Sequence, residues 1–161
     1  MIAYLGIGSN IDAEDNINRA KRVIAQCFAA VKFSAVYESA AVGFKGNNFH
    51  NLVARVETEL SLSELMAQLK QLEQSLGRQR SAERFSSRSI DIDILLFGQT
   101  VCEQPIRLPR EEIRHNAYVL WPLAELSPEL SEPGGTQTYG QLWQQFDKQS
   151  QQIKKISARH D

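Results

Sequence analysis

The amino-terminal part of the chain starts with a short apolar run and continues with an amphipathic segment. Residues 2–7 are largely apolar and are followed by Gly8-Ser9-Asn10, which predicts a buried strand and then a turn. Beyond Ala13, apolar side chains recur at the spacing of a helix that buries one face, and they are Ile17, Ala20, Ile24, Cys27 and Phe28. We therefore predict a strand followed by a helix that packs on it.

The next segments predict two strands and a leucine-rich helix. Residues 31–37 carry an apolar side chain at every second position, which predicts one half-buried strand, and residues 49–58 predict the next. Ser61 and Glu64 match a helix capping box, and Gly77 stands where the end of a helix favours glycine. The leucines between them form one stripe, made of Leu62, Leu65, Leu69, Leu72 and Leu76.

Residues 90–97 predict an aliphatic strand, which we place in the centre of the sheet. One of its faces carries Ile90, Ile92, Ile94 and Leu96. The element order is then β-α-β-β-α-β, so we predict an α+β fold (an α/β sandwich) with a ferredoxin-like core and an antiparallel sheet. The remainder predicts a C-terminal helical extension, with a helical turn over residues 118–126 and an amphipathic helix from about Tyr139. We expect residues 1–161 to form a single domain.

Composition is that of a globular protein with no strong charge bias. The 161 residues are 42% hydrophobic and 23% charged, and the formal net charge is −1. No apolar run approaches the roughly 20 residues of a membrane helix, and the early acidic residues are not typical of a signal peptide. Cys27 and Cys102 are far apart, as in a reducing compartment. We therefore expect a cytoplasmic monomer with no nucleic-acid or membrane partner.

Asp91 and Asp93 are the strongest candidates for chemistry. They lie two residues apart in a predicted strand, so both carboxylates point to the same face of the sheet. Adjacent carboxylates repel unless a cation lies between them, and Mg²⁺ held also by phosphate oxygens would supply that charge. The alternative is a polar, solvated sheet face. The aliphatic opposite face favours the metal site.

The segment before this strand contains four arginines, Arg78, Arg80, Arg84 and Arg88. Guanidinium groups bind phosphate through a planar fork of donors, so arginines beside a carboxylate pair indicate phosphoryl-type transfer. The alternatives are a solvated charged loop and an RNA-binding loop. Residues 2–7 and 90–97 lack the paired aromatic side chains that stack bases, which argues against RNA. Phe49 and Asn51 share a strand face and could bind a flat heterocycle by stacking and hydrogen bonds.

Together these motifs resemble the 6-hydroxymethyl-7,8-dihydropterin pyrophosphokinase family over roughly residues 2–133. The matching segments are Gly8-Ser9-Asn10, the Tyr37–Gly43 loop, Phe49-x-Asn51, Gly77-Arg78-x-Arg80 with Arg84 and Arg88, Asp91-Ile-Asp93-Ile-Leu-Leu-Phe-Gly98, and Leu120-Trp-Pro-Leu123 with Ser127-Pro-Glu-Leu130. The resemblance implies a ferredoxin-like fold and transfer of pyrophosphate from ATP to a pterin alcohol, giving the pterin diphosphate and AMP in tetrahydrofolate synthesis. It also implies two Mg²⁺ ions and ATP as co-substrate.

The resemblance also implies individual roles. Asp91 and Asp93 would hold both metal ions and, with Arg78 and Arg88, form the catalytic group. The residues implied to bind the pterin are Ser39, Val42, Phe49, Asn51 and Tyr118. The residues implied to bind ATP are Lys70, Glu73, Arg80, Phe85, Ile94, Arg107 and Arg110.

Several positions differ from the family's usual residues, although the metal positions and the main pterin positions do not. Arg110 stands where the family has a histidine, and Asn116 stands where it has an arginine. The other differences are Ser39, Ala40 and Ala41 (usually Thr-Pro-Pro), Lys70, Phe85 (usually tryptophan), Ser86, Ser87 and Arg107. The altered Phe85, Arg110 and Asn116 favour the alternative function, a catalytically weak relative that binds a pterin or nucleotide as a sensing module. The intact residues that favour the enzyme are Asp91, Asp93, Arg78 and Arg88.

Overall fold

The computed structural model describes residues 1–40, 48–77 and 90–156. The elements are β1 (Ile2–Ser9), α1 (Ala13–Cys27), β2 (Ala29–Phe33), β3 (Tyr37–Ser39), β4 (Phe49–Glu57), α2 (Leu62–Gly77), β5 (Asp91–Phe97), α3 (Glu112–His115), α4 (Ala117–Leu126), α5 (Tyr139–Gln145) and β6 (Ile153–Lys155). A single 3-10 turn, Lys148–Ser150, precedes β6. Within the described ranges, no helix combines the length and the apolar character that a membrane crossing requires.

The strands form one antiparallel sheet in the order β5-β1-β4-β3-β6, and β2 also pairs with β4. This order places β5 at the edge, so the prediction of a central position is wrong. The outer edge of β5 is covered by Arg110, whose backbone N–H donates to Leu95 O at 3.0 Å. Its side-chain Nε donates to Ile94 O at 3.1 Å. Through these hydrogen bonds Arg110 occupies two carbonyl groups to which the N–H groups of another strand would otherwise donate.

Helices α1 and α2 cover one face of the sheet, where the main core lies. The leucine stripe is confirmed, because Leu65, Leu69 and Leu76 are buried in this core and Leu62 and Leu72 pack against it. The capping box is confirmed as well. Ser61 N–H donates to Glu64 Oε1 at 2.9 Å, and Glu64 N–H donates to Ser61 Oγ at 3.2 Å.

Helices α4 and α5 cover only part of the other face. Their buried side chains pack on Tyr4, Val53, Leu95 and Leu96 of the sheet. The rest of this face, toward the C-terminal end of β1 and the start of β4 and β5, is left to a cleft. The sheet therefore has a fully covered face and a partly open one.

Two strands depart from simple alternation. The predicted strand over residues 31–37 is divided into β2 and β3, because Ser34 Oγ accepts the Val53 N–H at 3.0 Å where a ladder carbonyl would accept it. In β5 one extra residue shifts the register, so that Tyr4 pairs with Leu96 and Leu5 with Ile94. Leu96 consequently packs with Tyr4 in the second core, and the prediction that it shares the face of Ile94 is wrong.

The predicted C-terminal elements are found, with two additions. Residues 118–126 lie within α4, and α5 begins at Tyr139 behind the capping residue Thr138. Helix α3 and strand β6 were not predicted. Both are too short to show a periodic pattern in the sequence, and β6 is held by its pairing with β3.

Candidate active site

A cleft of about 370 Å³ opens on the uncovered half of the sheet. Three strands provide its floor, and the segment from Arg110 to Val119 provides one wall. The described residues that line it are Gly6, Ile7, Gly8, Ser39, Ala40, Phe49, Asn51, Leu52, Val53, Asp91, Asp93, Leu95, Arg110, Glu112, Asn116, Tyr118 and Val119. Six side chains predicted for the site from separate parts of the sequence therefore meet in one cavity, together with Arg110.

The floor is set by register across β4, β1 and β5. Gly8 pairs with Asn51 on one side and with Asp91 on the other, and Gly6 pairs in the same way with Val53 and Asp93. Because neither glycine has a side chain, the amide of Asn51 and the two carboxylates border an open strip of backbone. Sequence reasoning did not assign these glycines to the site. The signal was the spacing Gly6-Ile-Gly8, which repeats the alternation of Asp91-Ile-Asp93.

The carboxylates supply a donor set that suits a hard cation. Asp91 and Asp93 are two apart on β5 and both line the cleft, as predicted from their spacing. The Asp93 side chain is 49% exposed, so its oxygens are open to a ligand. Among the described ranges no group of three or more His, Cys, Asp or Glu residues is arranged to hold a metal. Oxygens from a bound phosphate would therefore complete the coordination of any ion held here.

A guanidinium lies beside these acids. Arg110 Nη2 is 3.8 Å from Asp93 Oδ1, and Arg110 Nη1 is 3.5 Å from Glu112 Oε1. The bond from Nε to Ile94 O fixes the base of the group, and the side chain remains 28% exposed. Arg110 is thus held at the cleft with donors available for an anion.

Two aromatic side chains lie on different elements of the cleft. Phe49 begins β4, and Tyr118 is in the first turn of α4. Asn116, which also lines the cleft, donates from Nδ2 to the Tyr118 hydroxyl at 3.0 Å and so restrains the ring. Burial raises the pKa of Tyr118, and Glu112 and Asp93 raise it further. The hydroxyl therefore stays protonated and neutral near the two acids.

The residues predicted to bind ATP occupy several places. Glu73 on α2 accepts the Ile92 N–H at 2.6 Å, between the two aspartates, and Ile94 is buried in the main core. Arg107 lines a depression beside the cleft that shares Arg110, and Lys70 is exposed on α2. The predictions for Val42, Arg78, Arg80, Phe85 and Arg88 lie outside the described residues.

Comparison with known proteins identifies one family. The sequence pattern of 7,8-dihydro-6-hydroxymethylpterin-pyrophosphokinase (HPPK) matches residues 4–128. The 2-amino-4-hydroxy-6-hydroxymethyldihydropteridine pyrophosphokinase of Aquifex aeolicus is 36% identical over 81% of this chain and 82% of its own length. The enzyme of the same name from Haemophilus influenzae is 31% identical over 89% of this chain and 92% of its own.

Solved structures agree on the fold. A crystal structure of HPPK-DHPS in complex with substrates superposes with a TM-score of 0.70 at 12% identity, and the match covers 92% of this chain. The HPPK-DHPS of Plasmodium falciparum gives a TM-score of 0.66 at 14% identity, with the same coverage. The chain spans 43% of the length of each of these two proteins. Since the family pattern covers most of the sequence and relatives exceed 30% identity over most of its length, the chain belongs to the 7,8-dihydro-6-hydroxymethylpterin-pyrophosphokinase family.

Proposed function

We propose that the chain transfers the pyrophosphate group of ATP to 6-hydroxymethyl-7,8-dihydropterin in folate synthesis. The observation that carries this proposal is the row Asn51–Gly8–Asp91 across three strands. In this row an amide lies on one side of Gly8 and a carboxylate lies on the other side, and Gly8 has no side chain between them. An acid pair suits the metal–phosphate end of such a reaction, and an amide in a cleft that also holds two aromatic side chains suits the heterocycle. One cleft holds both ends.

Asp91 and Asp93 are proposed to hold two Mg²⁺ ions. When bound, the ions neutralise the polyphosphate and stabilise the charge that develops on the bridging oxygen of the leaving group. The fit rests on the carboxylate donors of these two residues and on the opening of the cleft above them. Arg110 stands beside Asp93 as a donor for phosphate oxygens, and Arg78 and Arg88 are proposed to add further donors.

Phe49 and Tyr118 are proposed to stack on the two faces of the pterin, while Asn51 bonds its edge. The amide of Asn51 offers both a donor and an acceptor, as a pterin edge requires. Ser39 lines the same end of the cleft, and Val42 is proposed to join it. This assignment is supported by the cleft that the four described residues line together, which are Ser39, Phe49, Asn51 and Tyr118.

The nucleotide is proposed to contact Lys70, Glu73, Arg80, Phe85, Ile94, Arg107 and Arg110. Arg107 and Arg110 share a depression beside the cleft, which Glu111 and Glu112 also line, so both guanidinium groups lie within a short distance of the metal end. The Arg107 guanidinium is partly engaged, because Nη1 donates to Glu111 Oε1 at 3.0 Å. A bound phosphate would compete with Glu111 for this fork.

Positioning, rather than proton abstraction by a histidine, is proposed to supply most of the rate. His50 pairs with Glu38 at 3.3 Å and His115 lies 3.5 Å from Glu111; neither lines the cleft. The pterin hydroxyl oxygen bonds to the β-phosphorus, and the bond from that phosphorus to the α-phosphate oxygen breaks. AMP leaves with the bond's electron pair, and the hydroxyl proton passes to solvent.

Product analysis tests this function. Protein, Mg-ATP and 6-hydroxymethyl-7,8-dihydropterin are incubated together, and the products are followed by phosphorus NMR and chromatography. We expect AMP and the pterin diphosphate in equal amounts. ADP with a pterin monophosphate would instead show attack at the γ-phosphorus, and binding with no product would favour the sensing module.

Arg110 lies beside Asp93 at the position where the family usually has histidine. We expect Arg110→Ala to raise the KM for ATP about tenfold, because a charge-assisted contact is lost and Ile94 O loses its donor. Arg110→His should retain most of the affinity, since it supplies a donor of the usual type. Steady-state kinetics with ATP as the varied substrate measure the effect. An unchanged KM in Arg110→Ala would remove this residue from the nucleotide site.

We also propose a ferredoxin-like arrangement of the helices and strands. The ferredoxin-like arrangement is supported by the order of the strands β5, β1 and β4, with β2 and β3 beyond them. We further propose a single-domain, cytoplasmic monomer whose partners are the two small-molecule substrates. The two hydrophobic cores support one domain, because they pack on opposite faces of the same sheet.

A further inference from the structure

We infer that a partly buried hydrogen bond between Tyr37 and Glu125, supported by Lys155, fixes the separation of the Phe49 and Tyr118 rings and thereby sets the affinity for the pterin. The inference rests on the proposed function. None of the three residues lines the cleft, and the family resemblance assigns none of them a role. They are positioning residues that act through Phe49 and Tyr118.

Three elements meet at the Glu125 carboxylate. Tyr37 on β3 is fully buried, and its hydroxyl donates to Glu125 Oε1 on α4. Lys155 Nζ on β6 is 3.9 Å from the same oxygen, and the Glu125 side chain is 16% exposed. The Tyr37 ring also packs on Trp121 of α4, with ring centroids 4.6 Å apart. These three residues, which we call the Tyr37–Glu125–Lys155 node, thus join the β3–β6 edge of the sheet to α4.

The node connects the two walls of the cleft. In the sheet, Tyr37 pairs with Asn51 and Ser39 pairs with Phe49, so β3 is hydrogen-bonded to the part of β4 that contains Phe49. On α4, Glu125 follows Tyr118 by seven residues, which is about two helical turns and places both on the same side. A bond from Tyr37 to Glu125 therefore relates the position of the helix wall to that of the sheet wall.

The chemistry of the node favours a positional role. A carboxylate that is mostly removed from water costs stability, and apolar side chains would pack here without that cost. A hydrogen bond fixes the distance and direction between two atoms, whereas apolar contact tolerates sliding. Burial and the neighbouring Glu125 raise the pKa of Tyr37, so the hydroxyl remains a donor. A fixed distance matters here because the gap between the Phe49 and Tyr118 rings must match the thickness of one heterocycle.

Tyr37→Phe is the primary test, since it removes the hydroxyl and leaves the ring on Trp121. We expect the Kd and KM for 6-hydroxymethyl-7,8-dihydropterin to rise about tenfold, while kcat and the KM for ATP change less than about twofold. Glu125→Gln keeps an oxygen acceptor and should bind the pterin within about threefold of the unchanged protein. Lys155→Met alters an exposed edge strand and should weaken pterin binding by about two- to threefold.

Tyr4→Phe is the matched control. The Tyr4 hydroxyl also forms a hydrogen bond at the end of α4, where it lies 2.7 Å from Ser127 Oγ, and the Tyr4 ring is buried. We expect both tyrosine variants to lower the melting temperature, but only Tyr37→Phe to weaken pterin binding. Equal pterin affinity in Tyr37→Phe and the unchanged protein, or equal weakening in Tyr4→Phe, would overturn the inference alone. If the unchanged protein neither binds nor converts the pterin, the proposed function fails and the inference with it.

Discussion

Removing either cleft carboxylate, as Asp91→Asn or Asp93→Asn, is expected to lower kcat by roughly a hundred- to a thousandfold. Both acids line one cleft from alternate positions of β5. An amide in place of a carboxylate keeps the shape but loses the negative charge that attracts a divalent ion. Because the amides occupy the same volume, the melting temperature should change little. Activity measured at saturating ATP and pterin, across a range of Mg²⁺ concentrations, gives the effect.

Asp15→Asn is the matched control, since it makes the same change on an exposed position of α1. We expect its kcat to equal that of the unchanged protein. High Mg²⁺ should recover part of the activity of the cleft variants if the lost function is metal binding. Turnover near the normal rate in either cleft variant would show that this aspartate holds no essential metal.

The second large effect is expected at Gly8. A Cβ atom at this position would lie 2.5 Å from Asn51 Oδ1, which is too close for any real pair of these atoms. In Gly8→Ala the Asn51 amide must therefore rotate away, and the added methyl group would stand on the floor of the cleft. We expect the KM for the pterin to rise roughly ten- to a hundredfold, because the amide would lose the bonds to the heterocycle that we propose for it.

Gly6→Ala provides the comparison on the same strand and face. There the nearest atom to an added Cβ is Leu95 Cδ2 at 3.3 Å, the end of an apolar side chain that can turn. We expect its KM for the pterin to change less than about threefold. Similar kinetics of the two alanine variants would mean that the Gly8–Asn51 contact does not position the pterin.

The helices and the main core were predictable because their signals are local. Glu64 and Ser61 lie three residues apart, and the bonds between them form within a single turn. The leucines of α2 recur at helical spacing, so one face is apolar whatever it packs against. In the same way, the spacing of Asp91 and Asp93 by itself required a shared sheet face, and both line the cleft.

The departures arise from contacts between distant segments. Ser34 interrupts a strand because its hydroxyl bonds Val53, nineteen residues later. The extra residue in β5 can be recognised only against its partner β1, where Tyr4 and Leu5 pair with Leu96 and Ile94. The edge of β5 is covered by Arg110, which donates to the carbonyls of Ile94 and Leu95 from a later segment of the chain. None of these contacts leaves a periodic pattern in the sequence.

The sequence by itself determined the side-chain chemistry of the site and the shared face of Asp91 and Asp93 within β5. Only the tertiary structure decided which faces meet. Register across β4, β1 and β5 sets Asn51, Gly8 and Asp91 in one row, and it makes Gly6 and Gly8, which sequence reasoning had not assigned to the site, part of the floor of the cleft. The incomplete cover by α4 and α5 leaves that row open. The reason is physical: alternation along a strand is fixed by local backbone geometry, whereas register and cover depend on hydrogen bonds and packing between segments far apart in the chain.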